Sequence, residues 1–304
     1  MAVCPLAVLL FCALALPSLL ATTLTPSSFN LTCGVDNVNV AASYAVKFIN
    51  QHHKHGFKFK LREVQSSEYL RFSGACHIDL NLKLVQTKCH VTNPKPYQEC
   101  GLWRREERGV LATCSVEFWV IRSMGKITKF DCDTRPEITN DEMPLICPSC
   151  PTLLPLDNRV GVSAVEQAVL RFNQISKHGH YFSLMEVAHL TSRKLVTIGT
   201  ISWLKFALVE TTCPREANTL EDCTPLCPDR AHHVFCQTEY YNAHNQVGEL
   251  DCKMYPPKDS APLPLGVGEP VCDLFHDSTE DCICKAKLRI AHPAIHHICP
   301  FPLQ

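Results

Sequence analysis

The chain repeats itself, and that limits what it can fold into. Asn50-Gln51 and the run from Lys54 through His55, Gly56 and Phe57 to Glu63-Val64 recur as Asn173-Gln174 and Lys177 through His178, Gly179 and His180 to Glu186-Val187. The offset is a constant 123 residues, so no gap is needed. Cys89, Cys100, Cys114 and Cys132 return at nearly the same step as Cys213, Cys223, Cys236 and Cys252. Solenoid units run to roughly 20–50 residues, whereas a unit of this length buries a core of its own. Two copies of one small cysteine-bearing domain are expected, and function must be read from that pair and the segment joining them.

Residues 1–21 read as a secretory leader: an apolar stretch over Ala7–Phe11 and Ala13–Leu16, then small residues after Pro17. No other stretch approaches the length of a membrane span. Removing the leader takes Cys4 and Cys12 and leaves seventeen of nineteen cysteines, which an oxidising, extracellular compartment would turn mostly into disulfides. Seventeen is odd, so one thiol is left free, capped or shared with another molecule. Asn30-Leu31-Thr32 is an N-glycosylation sequon, with Asn30 the acceptor. A net charge of −1 argues against nucleic acid as a partner, because phosphate recognition wants a basic surface.

Each copy opens with apolar residues at helical spacing: Val40, Ala41, Tyr44, Ala45, Phe48 and Ile49, then Val162, Val165, Ala168, Val169 and Phe172. Gly56 and Gly179 are expected to end these helices. Strands follow. Ile78, Leu80, Leu82 and Leu84 alternate with His77, Asp79, Asn81 and Lys83, and Leu204, Phe206 and Leu208 line one face of the counterpart over 200–210. Hairpins are expected for 114–121 with 127–132, and for 234–241 with 246–252. One helix followed by antiparallel strands must bury its stripe on the sheet, which predicts an α+β fold in tandem. The expected divisions are a leader at 1–21, a first domain at 28–143, a linker at 144–151, a second domain at 152–256, and an irregular Pro-, Cys- and His-containing tail at 257–304. Cys89 with Cys100 would close a turn and Cys114 with Cys132 would staple a hairpin, although spacing alone does not decide connectivity.

Several motifs carry a resemblance. Leu84-Val85-Gln86-Thr87-Lys88-Cys89-His90-Val91, the linker Cys147-Pro148-Ser149-Cys150-Pro151, and Leu153-Leu154-Pro155-Leu156-Asp157-Asn158-Arg159-Val160 are similar to stretches of the fetuins, within the cystatin superfamily. Gln98–Gly101 and the linker resemble the fetuin-B branch, and Leu154–Val160 the fetuin-A (alpha-2-HS-glycoprotein) branch. The resemblance implies tandem cystatin-like domains and the pairs Cys33–Cys299, Cys89–Cys100, Cys114–Cys132, Cys147–Cys150, Cys213–Cys223 and Cys236–Cys252. Cys76, Cys227, Cys272, Cys282 and Cys284 fall outside that pattern, and Cys227 could compete with Cys223 for Cys213.

The resemblance also frames the functional candidates. Cystatins block papain-type proteases with a Gln-x-Val-x-Gly turn and a Pro-Trp loop. Here the corresponding stretches are Glu68–Gly74 and Leu195-Val196-Thr197-Ile198-Gly199, and no Pro-Trp occurs, so this cysteine-protease mode is disfavoured. In fetuin-B-like inhibitors the inter-domain linker enters the cleft of astacin-type metalloproteases, with an acidic residue between its cysteines addressing the catalytic zinc. Here that position is Ser149, and a hydroxyl is a poorer zinc ligand than a carboxylate. A disulfide-closed Cys147–Cys150 loop binds with little ordering cost, or simply staples the two domains. The expected function is that of a secreted inhibitor of proteases, astacin-type metalloproteases before others, using Cys147, Pro148, Ser149, Cys150 and Pro151 with the turn Thr197, Ile198 and Gly199 in support. The alternative is a serum carrier of calcium phosphate, although the strand face at 77–83 offers one carboxylate against one lysine. The clusters at His52-His53-x-His55, His232-His233 and His292 with His296-His297 read first as exposed loop residues, with weak zinc or copper binding through neutral imidazole as the less favoured alternative. No enzyme motif is present, and no cofactor or resident metal is expected.

Overall fold

A computed structural model describes residues 29–30, 37–197, 199–215, 223–264, 266–272, 284, 288 and 291–303. The leader, Cys33, Cys282 and Ile198 lie outside them, as do Leu31 and Thr32 of the sequon. In chain order the elements are β1 (Phe29–Asn30), α1 (Val38–His52), β2 (Phe57–Phe72), β3 (Ala75–His90), β4 (Val110–Ile121), β5 (Met124–Pro136), α2 (Met143–Ile146), β6 (Thr152–Leu153), α3 (Arg159–Ile175), β7 (His180–Leu195), β8 (Gly199–Pro214), β9 (His233–Tyr241), β10 (Gln246–Val247) and β11 (Asp251–Tyr255). They form two antiparallel sheets, ordered β1-β5-β4-β3-β2 and β10-β9-β8-β7-β6, with β11 also on β9. The fold is thus tandem α+β, one long helix packed on each sheet.

The cause is the switch from helical to alternating periodicity within each copy. Helix α1 buries Ala41, Ala42, Ala45, Val46, Phe48 and Ile49 against Ile78, Leu80, Leu82 and Leu84 of β3 and Val116, Phe118 and Val120 of β4. Helix α3 buries Ala164, Val165, Ala168, Val169 and Phe172 against Leu204, Phe206 and Leu208 of β8. The Asn that begins the repeated stretch joins helix to sheet in both copies. Asn50 donates from Nδ2 to the carbonyls of Val46 and Phe59 (both 2.9 Å) and accepts from the Phe59 amide (2.8 Å). Asn173 makes the same three bonds to Val169 and Phe182 at 3.1, 2.8 and 2.9 Å. A buried amide satisfied this way fixes the angle at which helix passes into strand.

The helices stop earlier than their glycines. α1 ends at His52, and α3 at Ile175. Gly56 does take a left-handed φ of 69°, but at the turn into β2, and Gly179 does not. The strand expected over 246–252 is also broken. Val247 pairs with Tyr240 and Asp251 with Gln237, so three residues oppose two, and the Gly248 amide donates to the Glu239 carbonyl at 2.8 Å.

Bridges join Cys89–Cys100, Cys114–Cys132, Cys147–Cys150, Cys213–Cys223 and Cys236–Cys252. Cys227 bonds Cys272 rather than competing for Cys213, and Cys76 is also disulfide-bonded. The expected Cys33–Cys299 bridge is corrected, because Cys299 bonds Cys284. The tail still returns to the first sheet, held there by packing. Ala294, Ile295 and Ile298 are buried in its core, and Phe301 exchanges both backbone bonds with Phe130 at 2.9 Å.

One end of the first sheet abuts the flank of the second. Phe57 and Trp103 pack with Ala188 and Phe235. Beside them the buried carboxylate of Glu186 accepts from the Gly56 amide (2.7 Å), His90 Nε2 (2.5 Å) and His55 Nδ1 (2.7 Å). His296 Nε2, from the tail, lies 4.0 Å away and bonds the Val187 carbonyl. Burial alone would raise the Glu186 pKa, but His296, His55 and His90 hold it well below the usual carboxylate range.

Candidate functional site

The linker leaves the first sheet after β5 and is fixed from beneath by Arg108. This residue is buried, with a left-handed φ of 64°. Its Nη2 donates to the Ile138 carbonyl (3.0 Å) and Asn140 Oδ1 (2.9 Å), and its Nη1 to the Pro151 carbonyl (3.1 Å). Asn140 in turn pairs with the Leu153 backbone in both directions, at 2.9 and 3.0 Å. Both ends of segment 138–153 are therefore clamped to one guanidinium. Arg suits this because its planar fork reaches several carbonyls at once. Nothing in the spacing of Arg108 marks it for the role, so sequence reading misses it.

Between the clamps the chain stands out. Thr139 caps α2 through Glu142, whose Oε2 accepts from the Thr139 amide (2.8 Å) and hydroxyl (3.0 Å). Leu145 is 87 % exposed and Ile146 51 %. The Cys147 amide closes on the Met143 carbonyl (2.8 Å), and the Cys150 amide on the Cys147 carbonyl (3.0 Å). Pro148 and Ser149 are exposed at the apex, with the Ser149 hydroxyl 3.8 Å from Cys147 Sγ. Pro151 follows, half-buried.

β6 joins this loop to the second sheet, pairing Thr152 with Ser192 and Leu153 with Thr191. Ser192 is three residues from Leu195, roughly 10 Å along an extended strand. There β7 turns into β8 through Val196 and Thr197, closing as Leu195 pairs with Gly199. Val196 is fully exposed. Gly199 has φ 78°, and a Cβ there would meet Ala243 Cβ at 3.3 Å, so the turn needs glycine. The linker and this turn, far apart in sequence, share one rim of the second sheet. Beneath the linker lies a cleft of about 650 Å³. Ser149, Cys150, Trp103, His189, Trp203 and Lys205 are among its walls. The Lys205 ammonium stands 4.3 Å above the Trp103 ring, and burial lowers its pKa.

Two His/Glu groups have ligand atoms close enough to hold a metal ion: His55, Glu186 and His296, and His178, Glu210 and His232. The sequence reading took the histidines for loop residues. His53, His55, His90 and His296 instead form the junction between the sheets.

Sequence and structure comparisons agree with this architecture. A cystatin-domain model matches residues 150–245. Antihemorrhagic factor cHLP-B of Gloydius brevicauda is 25 % identical over 240 residues, covering 76 % of this chain and 69 % of that protein. Alpha-2-HS-glycoprotein of Sus scrofa is 30 % identical over 201 residues, covering 65 % of this chain and 53 % of its own length. Mouse fetuin-B, solved in complex with crayfish astacin, superposes with a TM-score of 0.59 at 20 % identity, covering 82 % of this chain and 74 % of that one. Among the described residues no helix is long and apolar enough to cross a membrane. With a cystatin-domain match over residues 150–245, alpha-2-HS-glycoprotein relatives and the fetuin-B fold, the chain is similar to the fetuins.

Proposed function

We propose that the protein is a secreted inhibitor of astacin-type metalloproteases, presenting the Cys147–Cys150 loop and the neighbouring β7–β8 turn to the enzyme's cleft. The observation that carries this reading is the shared rim. A disulfide-closed loop is clamped at both feet by Arg108 and Asn140, and the strand that follows it pairs with Ser192, three residues before the exposed hairpin turn begins at Leu195. A rigid, projecting element binds with little loss of conformational freedom. Mouse fetuin-B has been solved with crayfish astacin and with human meprin beta, which supports the choice of enzyme class. Since Ser149 is a weak zinc ligand, binding rests on shape and on exposed Leu145 and Ile146 rather than on capture of the catalytic metal. The test is inhibition of an astacin-type protease by the purified protein, with papain as control and a Cys147→Ser, Cys150→Ser variant alongside. Tight inhibition lost in the variant supports the reading, and failure to inhibit the metalloprotease sinks it.

A second reading has its own observation. The sheet register sets Glu68 beside Asp79, and Asp79 beside Glu117, across three strands. This gathers carboxylates that one strand lacked, although His77 and Lys129 partly offset them at 3.2 and 3.0 Å. Such a face is suited to calcium phosphate. Delayed precipitation of that mineral, lost in an Asp79→Asn, Glu117→Gln variant, is the measurement that supports a carrier role. No delay removes it.

A further inference from the structure

The two copies part company at one end of the sheet. In the first, Phe57 opposes His90 and Phe59 opposes Gln86. In the second, His180 opposes Pro214 and Phe182 opposes Glu210, so His180 and Glu210 stand where Phe57 and Gln86 stand in the first. Phe57 is buried at the junction, packed edge-on against Trp103 and, from the other sheet, Phe235. The matching end of the second copy faces solvent and has become chelating in character.

Its geometry is convergent. His180 Nδ1 lies 2.7 Å from Glu210 Oε1, and His232 Nδ1 lies 2.7 Å from Glu210 Oε2. His178 Nδ1 lies 3.9 Å from Oε1 and accepts from the His180 amide at a long 3.3 Å. The ligand atoms of His178, Glu210 and His232 all fall within 4.8 Å of one another. Tetrahedral ligands about 2.1 Å from zinc stand roughly 3.4 Å apart, so small side-chain rotations admit an ion. The Glu210 side chain is 6 % exposed, held also by the His232 amide at 3.0 Å, whereas the imidazoles are 21–47 % exposed and leave an entry path. A merely solvated sheet end would have no reason to bury a carboxylate and aim three imidazoles at it.

We propose that His178, His232 and Glu210 form a binding site for zinc, with His180 beside it on Glu210 Oε1. Imidazole nitrogen excludes calcium and magnesium as the natural occupant and suits zinc or its borderline neighbours. On binding, the proton on His232 Nδ1 moves to Nε2 and the freed lone pair binds the metal, while His178 Nδ1, already an acceptor from the His180 amide, turns its lone pair to the ion; no electron changes hands. The repeat-like group at Glu186 is a poorer candidate. There His296 Nε2 is committed to the Val187 carbonyl at 2.9 Å.

The test is titration of the chelator-treated full-length protein with zinc chloride by calorimetry. Cobalt(II) serves as a second probe, because its visible absorption reports tetrahedral nitrogen and oxygen ligation without any variant. The expected result is one saturable site per chain, a tetrahedral cobalt spectrum, and affinity weakened at least about tenfold in His180→Ala, His232→Ala but unchanged in His55→Ala. Three results overturn the proposal: no saturable binding, binding unaffected by the double substitution, or binding that falls with His55→Ala instead.

Discussion

Glu186 and Glu63 occupy the same place in the repeat, and removing each should have opposite consequences. Glu63 is 52 % exposed and pairs with Lys83 at 3.3 Å. Exposed pairs of this kind contribute about 0–1 kcal/mol, so Glu63→Ala should be nearly silent. Glu186 is buried between the two sheets, where Gly56, His55 and His90 all donate to it. Glu186→Ala strands a buried backbone amide and a fully buried imidazole, each costing about 1–3 kcal/mol. It also removes the carboxylate that offsets the surrounding histidines. The sum matches the roughly 3–5 kcal/mol seen when one partner of a buried ionic group is deleted. Glu186→Gln retains one acceptor and should fall between the two. Thermal unfolding at neutral pH followed by calorimetry is the assay, and a loss of this size lowers the midpoint by the order of 10 °C. If Glu186→Ala lies within about 1 kcal/mol of Glu63→Ala, the carboxylate is not what joins the sheets and the reasoning fails.

Other outcomes follow from the same structure. Burial pushes His53 and His189 down to about 3, so both are neutral when folded and free to protonate at 6.5 when unfolded. Their contribution is intact above pH 6.5 and lost as pH falls towards 3. Each should cost about 2 kcal/mol by pH 5, and a denaturant series across pH 5 to 7 that shows no decline would contradict this. Asn173→Ala removes three bonds joining α3 to β7, and a loss of about 2–3 kcal/mol is expected in urea unfolding. A Cβ on Gly161 would sit 2.6 Å from Cδ1 of the fully buried Leu190. Gly161→Ala should therefore destabilise by about 1–3 kcal/mol despite its better helix propensity. Ser149→Asp restores a carboxylate at the loop apex and should tighten inhibition of an astacin-type protease about tenfold, equal to one charge-assisted contact. Unchanged inhibition would mean the apex does not approach the enzyme's metal.

What could be read in advance was whatever periodicity and repetition encode. The alternation from Ile78 to Leu84 and the helical stripes of α1 and α3 lie where expected, because each depends only on local spacing. What could not be read required register between distant strands. The row Glu68, Asp79 and Glu117 draws on three strands, so a scan along any one of them finds only one member of it. The guanidinium of Arg108 serves segment 138–153 from thirty and more residues away. Cys299 was assigned by family pattern, yet a cysteine pairs with whatever its own packing brings near, and here that is Cys284.

The duplication also explains why the polar groups fall where they do. A single copy has an apolar sheet end at Phe57 that must be covered, and the second copy supplies the cover with Ala188 and Phe235. At the matching end of the second sheet the side chains of His178, His180 and His232 stay 21–47 % exposed. Apolar residues there would leave an exposed patch prone to association. Histidine and glutamate at 180, 210 and 232 remove that liability. A buried carboxylate surrounded by imidazoles is itself costly unless its charge is balanced. At the junction the balance comes from His55 and His90 of the other copy, locked in place by the fold. At the free end it must come from solvent, as protons or as a metal ion. The same duplication that builds a rigid joint at one end of the pair therefore leaves a ligand-competent site at the other.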